Sequence, residues 1–491
     1  MKTRTSLSLI ISGLLIIFSP GTTSAQEILT LEKALEIAYQ QSPSLIQSKM
    51  SLEESELTLL QRKASLKSLF QFDLSPFNYS RSSSFEEISS TWNTYRTMSA
   101  GGNFSITQPL KWTDGTLTLS NDFNWQDAQN QSSNLTNTSF SNRLSLRLNQ
   151  PIFTYNRTKI DLKQLEYALE NAKISYAMAQ LNIEKTVTSG FYNVYQSFKS
   201  LTDAREAFES AKQNYEITKN KVEQGLLPKE ELFQSEVTLA NNETSLYSAE
   251  TNYESTKDQF KQTLGLPLEM DISVLTNTDI TPVEVDQNLA IKYALEQRME
   301  IRQKQISVEQ GLFDLITAKA TNEFKGNISA QVGLFGNGDK VKGAFTKPED
   351  NESVGVTLTI PVWDWGTRKA AIRKAQIANE NKDIDLAEYK KSVVLEIRQI
   401  CRELPSLVKK IEIARKNVEN AERTYDISVE KYRSGSLSGL DLKNQQDQLT
   451  SAKTEYTNTI ISYKLKLLDL KIQTLWDFQT NTSYLPVDLL K

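Results

Sequence analysis

The stretch KYRSGSLSGLDLKNQ, Lys431 to Gln445, interrupts a long run of helix-forming residues, and KVEQGLLPKEELFQS, Lys221 to Ser235, interrupts another one earlier in the chain. A shift of 210 positions places Gly225 on Gly435, and the similarity continues on both sides of the two glycines. Glycine readily adopts the left-handed backbone conformation that a tight turn after a helix requires. The sequence therefore predicts one helical hairpin that occurs twice, with its turns at the two glycines.

The duplication extends beyond the hairpins. A second alignment, at a shift of 256 positions, pairs Ala38 with Ala294 in the helices that precede them. Between Ala64 and Pro151 the first repeat carries 46 more residues than the second has at the equivalent place. The two halves of the chain therefore share one plan, and the first half contains an insertion. The sequence leaves open whether this insertion adds barrel strands or an extracellular loop.

The arms of each hairpin carry small and apolar residues at spacings of three and four, as in a coiled coil. These positions are Leu201, Ala204, Phe208, Ala211, Tyr215, Thr218 and Val222 in the first repeat, and Ile411, Ala414, Val418, Ala421, Tyr425, Ser428 and Tyr432 in the second. Alanine, serine and threonine make a narrow seam, across which helices approach closely. As helix, the segment from Pro151 to Gly225 would span roughly 110 Å, far more than a globular domain needs.

The segments at the other end of the long helices change from a helical period to strict alternation of apolar and polar residues. The clearest examples are Leu144, Leu146 and Leu148, and Val354, Val356 and Leu358. Strands with one apolar and one polar face are typical of a membrane β-barrel with a wet interior, although a soluble β-sandwich shows the same alternation. Trp112, Trp363 and Trp365 stand at segment ends, resemble an aromatic girdle and favour the membrane.

The composition excludes several classes of enzyme. The 491 residues contain no histidine and one cysteine, Cys401, so no Ser-His-Asp triad, Cys-His pair or ordinary zinc site is expected. A formal net charge of −4 gives no electrostatic reason to expect nucleic-acid binding. A catalytic pair of carboxylates, as in glycosidases, remains open because acidic residues are numerous, but solvated helix faces explain them more simply. No cofactor and no metal are expected.

The repeat, the run PVWDWGTRKAAIRKA at 361–375 and the segment YRSGSLSGLDLKNQQDQLTSAKTEY at 432–456 resemble the TolC-like outer-membrane efflux proteins. The resemblance covers nearly all of the chain after residue 25. It implies an α+β membrane protein, a trimeric outer-membrane β-barrel with four strands per chain and twelve in all, continued by a long antiparallel α-helical coiled-coil barrel in the periplasm. It also implies a homotrimer in outer-membrane lipid that docks onto a periplasmic adaptor (membrane fusion) protein and an inner-membrane transporter.

The repeats and the resemblance together divide the chain. Residues 1–25 combine basic side chains, a short apolar run and small residues, which predicts a cleavable secretory signal. The further segments that we expect are a periplasmic helix at 26–65, β-strands and loops at 66–150, a helical hairpin at 151–264 with its tip at Gly225, an equatorial linker at 265–288, a helix at 289–321, strands at 322–361, a second hairpin at 362–476 with its tip at Gly435, and a C-terminal tail at 477–491.

The resemblance assigns roles to the hairpin tips. It implies that the adaptor docks at the two turns, formed by Gly225, Leu226, Leu227, Gly435, Ser436 and Leu437. It implies a periplasmic gate narrowed by acidic side chains six and nine positions after the second glycine, where this chain has Asp441 and Asn444. Tyr432 matches the gate tyrosine, and Glu231 stands where its aspartate partner is expected. Leu437 occupies a position at which some members carry a gate arginine. We therefore expect one acidic ring of three Asp441 side chains, with a weaker or different latch.

The sequence as a whole predicts a non-enzymatic exit duct of a tripartite efflux or type I secretion system, which carries substrates from an inner-membrane pump across the periplasm and outer membrane. One alternative is a periplasmic coiled-coil scaffold or adaptor with a soluble β domain. Another is a carboxylate-dependent hydrolase, for which the sequence shows no supporting motif. The exported substrate cannot be read from the sequence, because a duct lined by generic polar residues need not recognise what the pump selects.

Overall fold

The computed structural model of the chain describes residues 27–87, 90–130, 135–276 and 279–484. The expected signal at 1–25 and the end of the expected tail lie outside these ranges. Contacts divide the chain into two compact units. Of the described residues, the first unit comprises those up to Pro43 and those of Ile183–Thr281 and Leu407–Leu465, and the second comprises those of Ser44–Asn182 and Pro282–Ser406 and those from Lys466 onward.

Helices make up most of the described chain. In chain order they are α1 (Leu31–Gln41), α2 (Pro43–Ser65), α3 (Arg157–Glu223), α4 (Lys229–Leu264), α5 (Gln287–Gln297), α6 (Met299–Lys319), α7 (Thr367–Ser434) and α8 (Gly439–Thr474). The helices α3 and α4 form the first predicted hairpin, and α7 and α8 form the second. Every predicted seam position is buried or half-buried, so the spacing of three and four correctly identified the inward faces.

The helices predicted before each hairpin are both broken in two. The breaks lie at Ser42 and at Arg298, which are equivalent under the shift of 256 positions, and both residues have an extended backbone with ψ of 123° and 119°. Pro43 explains the first break, because proline restricts the residue before it and cannot continue the hydrogen bonding of a helix. No proline follows Arg298, so the second break has no local sequence signal.

The described strands form three sheets. In chain order they are β1 (Glu27–Leu29), β2 (Leu69–Glu86), β3 (Thr91–Leu110), β4 (Gly115–Asn130), β5 (Leu135–Ile152), β6 (Ile272–Val274), β7 (Lys325–Gly338), β8 (Glu349–Thr359), β9 (Trp476–Asp477) and β10 (Thr482–Ser483). The short strand β1 pairs in parallel with β6, and β9 pairs with β10. The other six form one antiparallel sheet in the order β2-β3-β4-β5-β7-β8.

The insertion in the first repeat adds strands to this sheet. Four strands connect α2 to α3, whereas two strands connect α6 to α7 at the equivalent place. A turn at Thr113, Asp114 and Gly115 separates β3 from β4, and Asp114 has the left-handed φ of 61° that suits such a turn. One chain therefore contributes six strands to the sheet, two more than the resemblance implied.

The sheet has one apolar and one polar face. One line of directly paired residues runs from β2 to β7 through Phe70, Ile106, Leu119, Leu146 and Val332, and it ends on β8 at the charged Glu352. The adjacent line crosses the sheet through Gln71, Ser105, Ser120, Ser145 and Gly333. Paired residues share a face and successive residues point to opposite faces, so the predicted alternation is confirmed.

Aromatic packing forms the core of the first unit. The rings of Phe191 on α3 and Phe260 on α4 meet edge-on with 6.3 Å between centroids, and both side chains are buried. Gly190 permits this approach, because a Cβ atom at that position would lie 2.8 Å from Cδ2 of Phe260. A small residue in the seam thus lets a large one fill the space between the helices.

Two buried lysines of α4 hold the segment that follows this helix. The ammonium of Lys257 donates to the carboxylate of Asp271 at 2.8 Å, and that of Lys261 donates to the carbonyl of Leu268 at 2.7 Å. Each ammonium also has an acidic partner on α4 itself, Glu254 for Lys257 and Asp258 for Lys261. The predicted linker is therefore fixed to α4 by buried, paired charges, whose loss would leave an ammonium unpaired.

An apolar cluster and an ion network stabilise the helical part of the second unit. The buried members of the cluster are Ile174, Ala177, Leu181, Met299, Ile306 and Leu475. The guanidinium of Arg302 on α6 bonds both carboxylate oxygens of Glu170 on α3, at 2.6 and 3.2 Å, and also Glu309 at 2.9 Å. Bidentate pairing of this kind fixes the relative position of two helices. None of the helices in the described ranges is long and apolar enough to span a membrane.

Candidate functional site at the hairpin tips

Both hairpins turn through the same hydrogen-bonded motif. Gly225 and Gly435 have φ of 74° and 82°. In each turn the glycine amide bonds the carbonyl three residues back, at 3.0 and 3.1 Å, and the next amide bonds the carbonyl five residues back, at 2.8 and 2.9 Å. This is the Schellman motif, which satisfies the last carbonyls of a helix. A Cβ atom on either glycine would meet nothing within 4 Å, so the backbone conformation alone requires glycine.

The predicted docking residues lie at the surface of the tips. Gly225, Leu226, Gly435 and Ser436 are exposed, and Leu227 and Leu437 are half-buried. The exposed apolar surface continues onto the first turns of α4, where sequence reasoning had assigned no role. Phe233 there is 63% exposed and Leu226 is 68% exposed. Large exposed apolar side chains close together mark a surface that contacts a partner.

Tyr432 joins the end of α7 to the end of α3. Its side chain is 5% exposed, and its hydroxyl is hydrogen-bonded to the hydroxyl of Thr218. The hydroxyl of Thr218 donates its own proton to the carbonyl of Asn214 at 2.8 Å, so Tyr432 is the donor in the bond between the two hydroxyls. A tyrosine hydroxyl is protonated at neutral pH, and burial raises the pKa of Tyr432 further from neutrality.

Lys221, near the end of α3, caps the C-terminus of α7. Its ammonium donates to the carbonyls of Tyr432 and Arg433, both at 3.0 Å, and lies 5.6 Å from the centre of the Tyr432 ring. The last carbonyls of a helix lack partners within the helix and carry partial negative charge, so an ammonium stabilises them. Lys431 is equivalent to Lys221 in the second repeat and is exposed. We call Lys221, Thr218 and Tyr432 the tip latch.

Glu231 lies beside Tyr432 but is not its hydrogen-bond partner. Both line a cavity of about 30 Å³ together with Gly439, and a Cβ atom on Gly439 would lie 3.7 Å from Oε2 of Glu231 and 3.9 Å from the Tyr432 hydroxyl. After burial, the negative charge of Glu231 is a further cause of the raised pKa of Tyr432. The expected bond between Tyr432 and Glu231 is thus replaced by the bond to Thr218, because the facing helix places that hydroxyl within reach.

Asp441 lies in the first turn of α8 and is bonded to the residue that caps it. The hydroxyl of Ser438 donates to Oδ2 of Asp441 at 2.8 Å, and the amide of Asp441 donates to that hydroxyl at 3.2 Å. The amide of Asp441 thus makes an N-cap bond, and its carboxylate accepts from the capping hydroxyl, whereas in a capping box it would accept from the backbone amide of the N-cap. The side chains of Asp441 and Asn444 are both exposed. The predicted gate carboxylate therefore also has a structural role at the start of α8.

The three tryptophans of the predicted girdle are strongly exposed and lie at strand ends. Trp112 follows β3, while Trp363 and Trp365 follow β8, and the three expose 92%, 73% and 89% of their surfaces. The last two rings meet edge-on with 5.5 Å between centroids. They border a groove that basic side chains also line, among them Arg368 and Arg373. Aromatic rings beside basic groups suit the boundary between hydrocarbon and lipid headgroups.

Known proteins share both the sequence pattern and the fold. The model of the outer membrane efflux protein family matches residues 116–266 and 291–471. The chain is 21% identical over 370 residues to Nodulation protein T of Rhizobium leguminosarum bv. trifolii, which covers 74% of this chain and 77% of that protein.

Solved structures of outer-membrane channels have a similar fold. The CmeC outer membrane channel of Campylobacter jejuni aligns with a TM-score of 0.68 at 15% identity, over 92% of this chain and 86% of CmeC. The outer membrane protein VceC of Vibrio cholerae aligns with 0.62 at 15% identity, over 90% and 94% of the two chains. The open state of the MtrE outer membrane channel of Neisseria gonorrhoeae aligns with 0.64 at 14% identity, over 90% and 88%.

The matched residues contain both hairpins and the strands β4, β5, β7 and β8, which decides between the alternatives left open by the sequence. The family consists of outer-membrane channels for efflux, so neither a hydrolase nor a periplasmic scaffold with a soluble β domain fits. The protein is an outer-membrane exit duct that extends into the periplasm. The family predicted from the two turns is confirmed, and the chain belongs to the outer membrane efflux protein family.

Proposed function

We propose that the chain forms a homotrimeric duct whose closed periplasmic end is built from the hairpin tips and whose gate includes the tip latch. Outer-membrane efflux channels of tripartite systems generally form trimers and partner with an adaptor and an inner-membrane pump. Two tips per chain give six in a trimer, related by approximate sixfold symmetry. The observation that carries the proposal is the identical Schellman turn at both tips in a chain of this family.

The exposed side chains of the tips form the docking surface for the adaptor. Leu226, Leu227 and Leu437 are apolar and Ser436 is polar, so the surface offers apolar contacts around a small hydrogen-bonding group. Because the two turns have the same backbone geometry, one adaptor surface fits both of them. The exposed apolar surface continues to Phe233 at the first tip and to Leu440 at the second, so the two tips differ in the apolar side chain that they present.

The tip latch holds the duct closed. It joins the last turns of α3 and α7, which belong to different hairpins, so these hairpins cannot separate at their tips without breaking its bonds. A neutral hydrogen bond contributes roughly 1 kcal/mol, and a bond from a charged donor somewhat more. The two carbonyl bonds of Lys221 and the hydroxyl bond of Tyr432 therefore favour the closed state by a few kcal/mol per chain at most, since Lys221 is only half-buried.

Asp441 supplies the charge at the closed end. Three exposed carboxylates around a threefold axis would attract cations and disfavour anions. Asn444 cannot contribute a second acidic ring, because its side chain carries no charge.

Single-channel conductance in planar bilayers tests the duct and its latch together. We expect the detergent-purified protein to give small channels that open rarely. Tyr432→Phe removes the hydroxyl, and Lys221→Met removes the ammonium, so each is expected to favour opening about fivefold for each of the three chains, as the loss of roughly 1 kcal/mol per chain implies.

Matched controls exist for both variants. Tyr425→Phe removes the hydroxyl of a half-buried seam tyrosine above the tip, and Lys431→Met removes the equivalent lysine of the other repeat. Both are expected to behave as the unaltered protein does. If the latch variants also conduct like the unaltered protein, the tip latch does not hold the duct closed. If no variant inserts and conducts, the duct itself is wrong.

A further inference from the structure

We propose that the inserted hairpin β2–β3 is part of the barrel wall, and that β2 of one chain pairs with β8 of a second copy. Three chains with six strands each then close a barrel of eighteen strands, rather than the twelve that the resemblance implies. This inference rests on the trimer of the proposed function. One side of the proposed contact between copies is β2, which lies outside the match to the family model, since that match begins at residue 116.

The hairpin is continuous with the rest of the sheet. The pairing of β2 with β3 runs from Leu69 and Thr107 to the far end of both strands, with one irregularity between Ser75 and Asn78. The pairing of β3 with β4 is uninterrupted from Leu110 and Gly115 onward. In a twelve-stranded wall with this hairpin outside it, the same edge of β4 would instead pair with β8 of a second copy, but β3 occupies that edge along its whole length.

The hairpin also continues the two faces of the sheet. Phe70, Phe72 and Leu74 of β2 lie on the same face as the apolar residues of the other strands, and each exposes about two thirds of its surface. The residues between them, such as Gln71 and Asp73, lie on the polar face. Transfer of phenylalanine and leucine side chains from water to an apolar environment is favourable, so this face is more stable against lipid than in water. The alternation in β2 therefore places this strand in the membrane wall.

The directions of the two edge strands fit each other. Neighbouring strands of the sheet alternate in direction, so the first and the sixth, β2 and β8, run in opposite directions. Their pairing between copies is consequently antiparallel, like every other pairing in the sheet. An inserted pair of strands preserves this match, whereas a single added strand would destroy it. Both edges lack the charges and prolines that usually protect an edge along Leu69–Phe72 and Ser353–Thr359, as expected of strands that are paired in the assembly.

The charges at the far ends of the two strands are complementary. Arg81 of β2 lies directly opposite Arg96 of β3, and like charges in this arrangement repel each other. The Nε atom of Arg96 is buried and has no hydrogen-bond partner within the described residues. At the corresponding end of β8, Glu349, Asp350 and Glu352 are all exposed. Pairing β2 with β8 of a second copy brings these carboxylates to the two guanidinium groups.

Disulfide trapping between copies tests the proposed contact of β2 with β8, which we call the β seam. In a Cys401→Ser background, Gln71→Cys on β2 is combined in turn with Asn351→Cys, Ser353→Cys or Thr357→Cys on β8, and the membranes are oxidised. Six strands spaced about 4.8 Å apart put these positions about 24 Å from each other within one chain, too far for an internal disulfide. We expect covalent dimers and trimers on denaturing gels for at least one pair.

The matched control uses Ser120→Cys on β4 with the same three partners on β8. Ser120 and Gln71 lie on the same line of paired residues and on the same polar face, so the two sets differ only in the strand that is tested. We expect the Ser120 set to remain monomeric on denaturing gels. Covalent ladders from the Ser120 set would place β4 at the contact between copies and the hairpin outside the wall, which would overturn the inference.

The mass of the native, detergent-purified protein separates this inference from the proposed function. If the protein is a trimer but neither the Gln71 set nor the Ser120 set gives covalent dimers and trimers, the proposed contact of β2 with β8 is wrong and the proposed duct stands. The absence of a trimer overturns the proposed assembly, and the β seam with it. Electron cryomicroscopy of the trimer in lipid nanodiscs then counts the strands of the wall, with eighteen expected and twelve contradicting the inference.

Discussion

At the scale of single residues, the chain departs most from its family pattern at the gate. The resemblance implied that Asp441 narrows the gate, and the structure adds a bond from Ser438 that ties this carboxylate to the start of α8. We therefore propose two functions for this side chain, one electrostatic and one structural. A substitution by alanine removes both of them and cannot tell them apart.

Two substitutions of Asp441 separate its charge from its capping role. Asp441→Asn removes the charge but keeps an oxygen that accepts from Ser438, whereas Asp441→Ala removes both. We expect both variants to lose preference for cations to the same extent, measured as the reversal potential in a salt gradient. Only the alanine variant is expected to exchange the amides of the first turn of α8 faster, by about fivefold, because losing the bond from the Ser438 hydroxyl costs about 1 kcal/mol. Unchanged selectivity in both variants would show that Asp441 does not line the conducting path.

Sequence reasoning found one partner in the tip latch and missed two. The resemblance pointed to Tyr432, whose aromatic ring marks its position in the motif. Thr218 and Lys221 gave no such signal, because one reads as an ordinary seam residue and the other as a solvated lysine. Which polar groups meet depends on the relative height of α3 and α7, and sequence periodicity does not determine that height.

At the scale of elements, the two turns are the best-predicted feature of the chain. Repetition of the motif around Gly225 and Gly435 identified both turns. The left-handed φ at each glycine confirms that the turns require this backbone conformation. The strands of the insertion were recognisable by their alternation, although the sequence did not show whether they join the sheet. The break at Arg298 could not be predicted, since it depends on long-range bonds from this side chain to Glu396 at 2.8 Å and Gln473 at 3.2 Å.

Substitutions of the tip glycines test the turn geometry. Gly435→Ala forces a side chain into the left-handed region and is expected to cost about 1 kcal/mol, because the open surroundings add no clash. Gly435→Asn is expected to cost less, since asparagine tolerates this conformation. Hydrogen exchange of the amides of Gly435 and Ser436 should accelerate about fivefold in the alanine variant and less in the asparagine variant. Equal rates in the two variants would mean that backbone strain does not limit opening of the tip.

At the scale of the whole molecule, composition and repeats predicted the class of protein but not the number of strands in its sheet. The duplication, the seams and the family motif all lie in the helices, where long periodic segments carry the strongest signal. The sheet depends on pairing between distant segments, such as β5 with β7, which local sequence does not encode. The number of strands that one chain contributes to the sheet therefore became clear only from the register of the sheet.

The proposed aromatic girdle predicts a common depth for three tryptophans. Variants that retain only Trp112, Trp363 or Trp365 are expected to show equally strong fluorescence quenching by brominated lipids in proteoliposomes, because all three stand at the strand ends nearest the helices. A variant that retains only Trp92 is the control. This residue lies near the opposite end of the 20-residue strand β3, which at about 3.4 Å per residue and a tilt near 40° rises about 50 Å. The apolar band of a barrel is about 25 Å tall, so Trp92 should stand clear of the hydrocarbon and remain unquenched. Strong quenching of Trp92 together with weak quenching of the other three would place the membrane at the wrong end of the sheet and contradict the proposed girdle.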